Sequence, residues 1–140
     1  MKKVLLFVAF AALTISLNSC SSDSDGGSSL SFKVDGVSKS FKTTVEESGG
    51  MVIVSGYTGS AEDPTETFSF SLPPEETGDV MDSPTYTDAD GNVYFGYTGN
   101  SNVTLNNGSN AKGTFSGTMT SFDPALTDIT ITQGNFNFSY

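Results

Sequence analysis

The sequence predicts an all-β domain, an antiparallel sandwich or barrel of eight or nine short strands, and three observations predict it. After residue 30 the apolar residues recur at every second position in short runs, the pattern of strands with one buried face. Gly, Asp, Asn and Pro bound those runs. No stretch of the domain carries an apolar stripe at spacings of three and four that is long enough for a helix.

The first run is LSFKV, with Leu30, Phe32 and Val34 on one face, and Asp35-Gly36 supplies a hairpin turn into a second run over residues 41–45. Residues 51–57 are apolar on both faces, which predicts a central or doubly covered strand. Phe68, Phe70 and Leu72 alternate with Thr67, Ser69 and Ser71 until Pro73 and Pro74, which donate no ladder hydrogen bond, end the strand. Runs at 93–98, 103–105, 113–120, 128–133 and 135–140 complete the set. Gly56, Gly96 and Gly117 fall inside runs and are read as bends. Residues 30–140 form one domain, 111 residues long, with nine phenylalanines as the main source of core stability. Burying each contributes roughly 1.5 to 3 kcal/mol.

What precedes the domain has another character. Met1, Lys2 and Lys3 are followed by a fourteen-residue apolar run, Val4 to Leu17, and then by polar residues. This is the layout of a secretory signal peptide over residues 1–19, and the run is short of the roughly 18 residues of a membrane-spanning helix. Leu17, Asn18, Ser19 and Cys20 resemble the lipobox of bacterial lipoproteins, with Asn18 departing from the usual small residue. The resemblance implies cleavage before Cys20, acylation of its thiol and of the new amine, and anchoring in a membrane. Cys20 is the sole cysteine, so an intrachain disulfide is excluded. Residues 20–29 then comprise the lipidated cysteine and a tether, SSDSDGGSS, of flexible composition and about 15 to 18 Å root-mean-square length. Asp23 and Asp25 resemble the export signal that carries Bacteroidetes-type lipoproteins to the outer face of the outer membrane. A periplasm-facing position is the alternative.

The frame from SFKVDGVSKSFK, through GTFSGTM at 113–119, to the closing ITITQGNFNFSY resembles a small uncharacterised Bacteroidetes-type lipoprotein family. The resemblance covers nearly the whole mature chain. It implies an antiparallel β-sandwich or barrel and carries over no catalytic residue.

Composition excludes several functions. Removing residues 1–19 takes away Lys2 and Lys3 and leaves four lysines against sixteen carboxylates, a formal charge of −12, with no arginine. Such a surface repels phosphates, so nucleic acid is excluded as a partner. There is no histidine, which removes Ser-His and Cys-His nucleophile pairs and imidazole metal ligands. The close carboxylate pairs, Glu46 with Glu47 and Glu75 with Glu76, are sequence neighbours and point to opposite faces of an extended chain. Asp88, Asp90 and Asn92 in DADGN resemble the opening of a calcium loop, but Val93 stands where the loop needs glycine and Gly99 where it needs glutamate; a strand-joining turn is the reading adopted. The sequons at Asn102, Asn107 and Asn137 specify glycosylation only in a host with that machinery.

The expectation is therefore a non-enzymatic cell-envelope lipoprotein without a cofactor, its β-domain binding a protein or glycan partner or serving structurally. The alternative is a lipocalin-like carrier of a small apolar ligand, which a continuous internal cavity would distinguish. Any partner surface is expected on the acidic, proline-bearing segments 59–67 and 73–86.

Overall fold

The computed structural model describes residues 28–140; the expected signal peptide, Cys20 and the expected tether as far as residue 27 lie outside the described residues. Eight strands follow one another: β1 (Ser29–Val34), β2 (Val37–Ser48), β3 (Met51–Gly59), β4 (Pro64–Leu72), β5 (Asp82–Thr87), β6 (Val93–Asn106), β7 (Asn110–Ser121) and β8 (Ile129–Ser139). Each pairs antiparallel with the next, and β8 returns to β1 through pairs such as Leu30 with Phe136, so the sheet closes into an up-and-down barrel. The β1–β2 hairpin is the one Asp35-Gly36 predicts. Both residues have positive φ, 47° and 85°, as a two-residue turn matched to the strand twist requires.

Several boundaries differ from the sequence reading, each for a physical reason. The runs at 93–98 and 103–105 are one strand, because the intervening polar residues are held in register by β7, where Asn100 faces Ser116 and Gly99 faces Gly117. The two closing runs likewise merge into β8, with the irregularity absorbed at Gln133, whose φ is 52°. β5 lies in a segment read as loop, since Pro84 and the positive φ of Ser83 hide its short alternation. β3 is covered on one face only: Val52, Val54 and Gly56 point inward, while Met51, Ile53 and Tyr57 stay partly exposed. Gly56 marks a close approach and not a bend, because a Cβ there would stand 2.6 Å from Leu30 Cδ2. Gly96 and Gly117 do sit at register shifts.

Aromatic rings fill the interior. Phe68 stacks on Phe115 at 5.4 Å, and Phe32 lies 4.7 Å from Phe68. Phe70 stands 5.2 Å from Phe136, which in turn lies 5.5 Å from Phe138. Seven of the nine domain phenylalanines are buried in this way. The other two form a pair on the outer surface, with Phe122 86 % exposed against Phe95. The barrel is a packed core and not an empty calyx.

Strand order assigns the connections to two ends. The proximal end holds the start of β1, the turns at 49–50 and 107–109, the loop 73–81 and Tyr140; the distal end holds the turns 35–36 and 88–92 and the loops 60–63 and 122–128.

Candidate functional site: an open cup at the distal end

Along β4 the inward positions are Glu66, Phe68, Phe70 and Leu72, and along β2 Lys39 is in phase with Phe41. The period of two that buries the phenylalanines therefore also turns a lysine and a glutamate into the barrel, one layer above the aromatic core. They meet there. Lys39 Nζ donates to Glu66 Oε1 at 2.6 Å, and Tyr86 Oη, from β5, donates to the same oxygen at 3.2 Å. Phe32 closes the layer below, its ring edge-on to Tyr86 at 6.0 Å.

Above this triad the barrel opens into a cup of about 430 Å³. Val34, Val37, Tyr94 and Ile129 give it apolar walls, and Asp35, Asp88 and Asp90 stand around it. Burial pushes the Tyr86 phenol far above its ordinary range, and the adjacent Glu66 carboxylate adds to the shift. The Tyr94 phenol is also raised, first by burial and then by Asp88, Asp35 and Asp90. Both tyrosines are thus protonated hydroxyls at neutral pH.

Asp88, Asp90 and Asn92 occupy the rim as a turn. Asp88 Oδ1 accepts the backbone N–H of Asp90 and of Asn92, each at 2.9 Å, and Oδ2 accepts Asn92 Nδ2 at 2.9 Å. Gly91, with φ at 84°, completes the reversal. Burial pushes the Asp88 carboxyl up, but these donors outweigh it and hold the group below its usual range. Both oxygens are thus committed to the turn. Among the described residues no three Asp, Glu, Cys or His side chains gather around one point. Cys20, the expected lipidation site, lies outside the described residues.

The two segments expected to form a partner surface divide differently. The first, 59–67, keeps an exposed loop at 60–63 between β3 and β4, and only its end turns inward, at buried Glu66. The segment 73–86 closes the proximal end. Asn106, 7 % exposed, donates from Nδ2 to the carbonyls of Pro73 at 2.8 Å and Glu76 at 3.1 Å, and its Oδ1 accepts Tyr140 Oη at 2.7 Å. Asp79 Oδ1 accepts the N–H and hydroxyl of Ser101 at 2.6 and 2.8 Å. Gly78 exchanges both backbone hydrogen bonds with Val103. This segment is a strap, tied to β6 by Asp79 and by the backbone of Pro73, Glu76 and Gly78, while the side chains of Glu75 and Glu76 are exposed.

Lys39 and Glu66 were not singled out in the sequence, although a signal for them was present: each lies two residues before an inward phenylalanine and in its phase. Comparison of the chain with protein-family models, with curated proteins and with solved structures returned no match.

Proposed function

We propose that this chain is a cell-envelope lipoprotein, anchored in the outer membrane through Cys20, whose β-barrel is a non-enzymatic binding module of the Bacteroidetes-type lipoprotein kind its sequence resembles. The observation that carries the reading is the placement of the cup. β1 starts at the proximal end, so a tether entering there leaves the cup at the opposite end, turned away from the membrane and toward whatever the envelope or the medium presents. The packed interior favours recognition at the cup over a lipocalin-like carrier, because an apolar guest would have to displace the rings of Phe32, Phe68 and Phe115.

Protease treatment of intact cells tests the anchoring, comparing the natural chain with Cys20→Ala. The expected result is a membrane-bound, externally cleaved natural protein and a released variant. A natural protein that fractionates as freely soluble, with Cys20→Ala indistinguishable from it, would overturn the proposal. Protection of a membrane-bound protein would place the cup in the periplasm.

A further inference from the structure

At the proximal end β2 outruns its neighbour β1. Their ladder ends with Leu30 opposite Phe41, while β2 continues to Ser48 with β3 alone beside it. The two-residue turn at 35–36 makes Val34 and Val37 a hydrogen-bonded pair, and antiparallel alternation repeats this at 32–39 and 30–41. The backbone N–H and C=O groups of Thr43, Val45 and Glu47 therefore point to the side where β1 has ended, and no described residue pairs with them. Ser29 pairs with Asn137 on β8, and the same alternation turns the backbone groups of Ser139 into the slot from its other wall.

An unpaired edge alone is a feature that charged residues such as Glu46 and Glu47 guard in many sheets. Thr43 supplies the second observation. Its side chain is in phase with Phe41 and Val45, facing the interior, and its Oγ1 is buried without a hydrogen-bond partner. The register names the residue that would answer it. Carried past Leu30, β1 sets Ser28 opposite Thr43, residue 26 opposite Val45 and residue 24 opposite Glu47, with residue 27 opposite Ser139. Directly opposed Ser and Thr hydroxyls lie within hydrogen-bonding reach across a ladder. A foreign strand would have to share the slot with the chain that enters at Ser29, and a second copy would bring its own Glu46 and Glu47 against these.

We propose that residues 24–28 dock in this slot as a continuation of β1, completing the barrel wall by strand addition from the same chain. Ser28 is exposed and outside the ladder in the structure, so the docked arrangement is a second state. In it Asp25 stands opposite Glu46, a like-charge pair that weakens the ladder and keeps docking reversible. What docking does rests on the anchoring proposed above. The free chain then runs from Cys20 only to Ser24 instead of to Ser29, and its greatest reach falls from about 32 Å to about 14 Å. The proximal end is drawn to the membrane and the cup is held outward.

The test is amide hydrogen exchange by NMR on the full chain in detergent micelles. Thr43, Val45 and Glu47 are expected to exchange at least about fivefold more slowly than unstructured amides, since docking gives each an acceptor. Gly26→Pro, which cannot donate to Val45 and does not fit between two strands, is expected to remove that protection while leaving core Val54 unchanged. Asp25→Lys is expected to slow exchange at Val45 and Glu47 a further two- to fivefold or about that, and Glu46→Lys added to it to cancel the gain. Unprotected amides in the natural chain overturn the proposal, as does protection that survives Gly26→Pro. Protection that disappears on dilution assigns the edge to a second copy and overturns it equally. Cys20→Ala is expected to keep the protection, because the ladder needs no lipid, so failure of the docking and failure of the anchoring are told apart.

Discussion

The two ends of the barrel are built by the same strands and finish in opposite ways. At the proximal end the inward stripes run out in Val52, Leu72, Ala111 and Phe138, all buried, beneath a loop tied down by Asn106, Asp79 and Gly78. At the distal end the same β2 and β4 stripes run out in Lys39 and Glu66 under an opening. An inward-facing ion pair contributes little net stability, because desolvating two charges offsets much of their attraction. A strapped apolar end and an open charged end thus divide the work: the first holds the barrel shut, and the second leaves the paired Lys39, Glu66 and Tyr86 at the floor of an opening.

The layer between the ends decides whether they are separate. Phe115 contacts Phe32 at 5.7 Å, Phe68 at 5.4 Å, Phe70 at 6.3 Å and Phe136 at 6.4 Å, and so spans both halves. Phe115→Ala should cost about 3 to 5 kcal/mol in urea unfolding, the transfer loss plus an unfilled cavity. A loss below about 1 kcal/mol would mean that the interior is loosely filled, which would join cup and core into one ligand space and revive the carrier reading.

A smaller effect separates the ends directly. Asn106→Ala removes the buried amide that holds the carbonyls of Pro73 and Glu76 and the Tyr140 hydroxyl at the proximal end, and should cost about 2 to 3 kcal/mol. Asn92→Ala removes one side-chain hydrogen bond in the half-exposed distal turn, and should cost under about 1 kcal/mol. Equal losses in thermal or urea unfolding would break the comparison.

Much of this arrangement is legible in the sequence, and what is not has identifiable causes. Leu30, Phe32, Phe68, Phe70 and Leu72 announce their strands and their inward face through strict alternation beside turn residues, and DG announces the first hairpin. The distal site is written in the same alternation, but in charged letters. Lys39 and Glu66 read as surface because such side chains are seldom buried unless paired, and their pairing joins residues 27 positions apart across the barrel. The strap is hidden for the same reason: a proline-bearing acidic segment looks exposed until Asn106, thirty-three residues after Pro73, turns its amide onto it. Closure of β8 on β1, through which Asn135 Nδ2 reaches Ser31 Oγ, is likewise a long-range result of strand count and twist.

The least effect expected is on acid stability, and it probes one carboxylate at each end. Asp79 is held below its usual range first by the Ser101 backbone N–H and then by the Ser101 hydroxyl, with burial opposing slightly. At the distal end burial raises Asp88, and the Asn92 side chain with the turn N–H groups more than reverses it. Folded-state pKa values below the unfolded ones give stability that is complete above the ordinary carboxylate range and is lost as pH falls through the folded values. The window therefore opens near pH 3.8, the ordinary value for both groups, and extends downward from there. In urea midpoints, Asp79→Asn and Asp88→Asn should each be less stable than the natural chain at neutral pH, and the difference should shrink as pH falls below 3.8. The ends should differ in what melts. Protonating Asp79 frees the loop from β6, so amide exchange should rise at Gly78 and Ser101, whereas protonating Asp88 should loosen only residues 88–92. Exchange spreading from Asp88 into Tyr86 and Tyr94 would show instead that the rim turn supports the cup floor, and that the open end contributes to holding the barrel together.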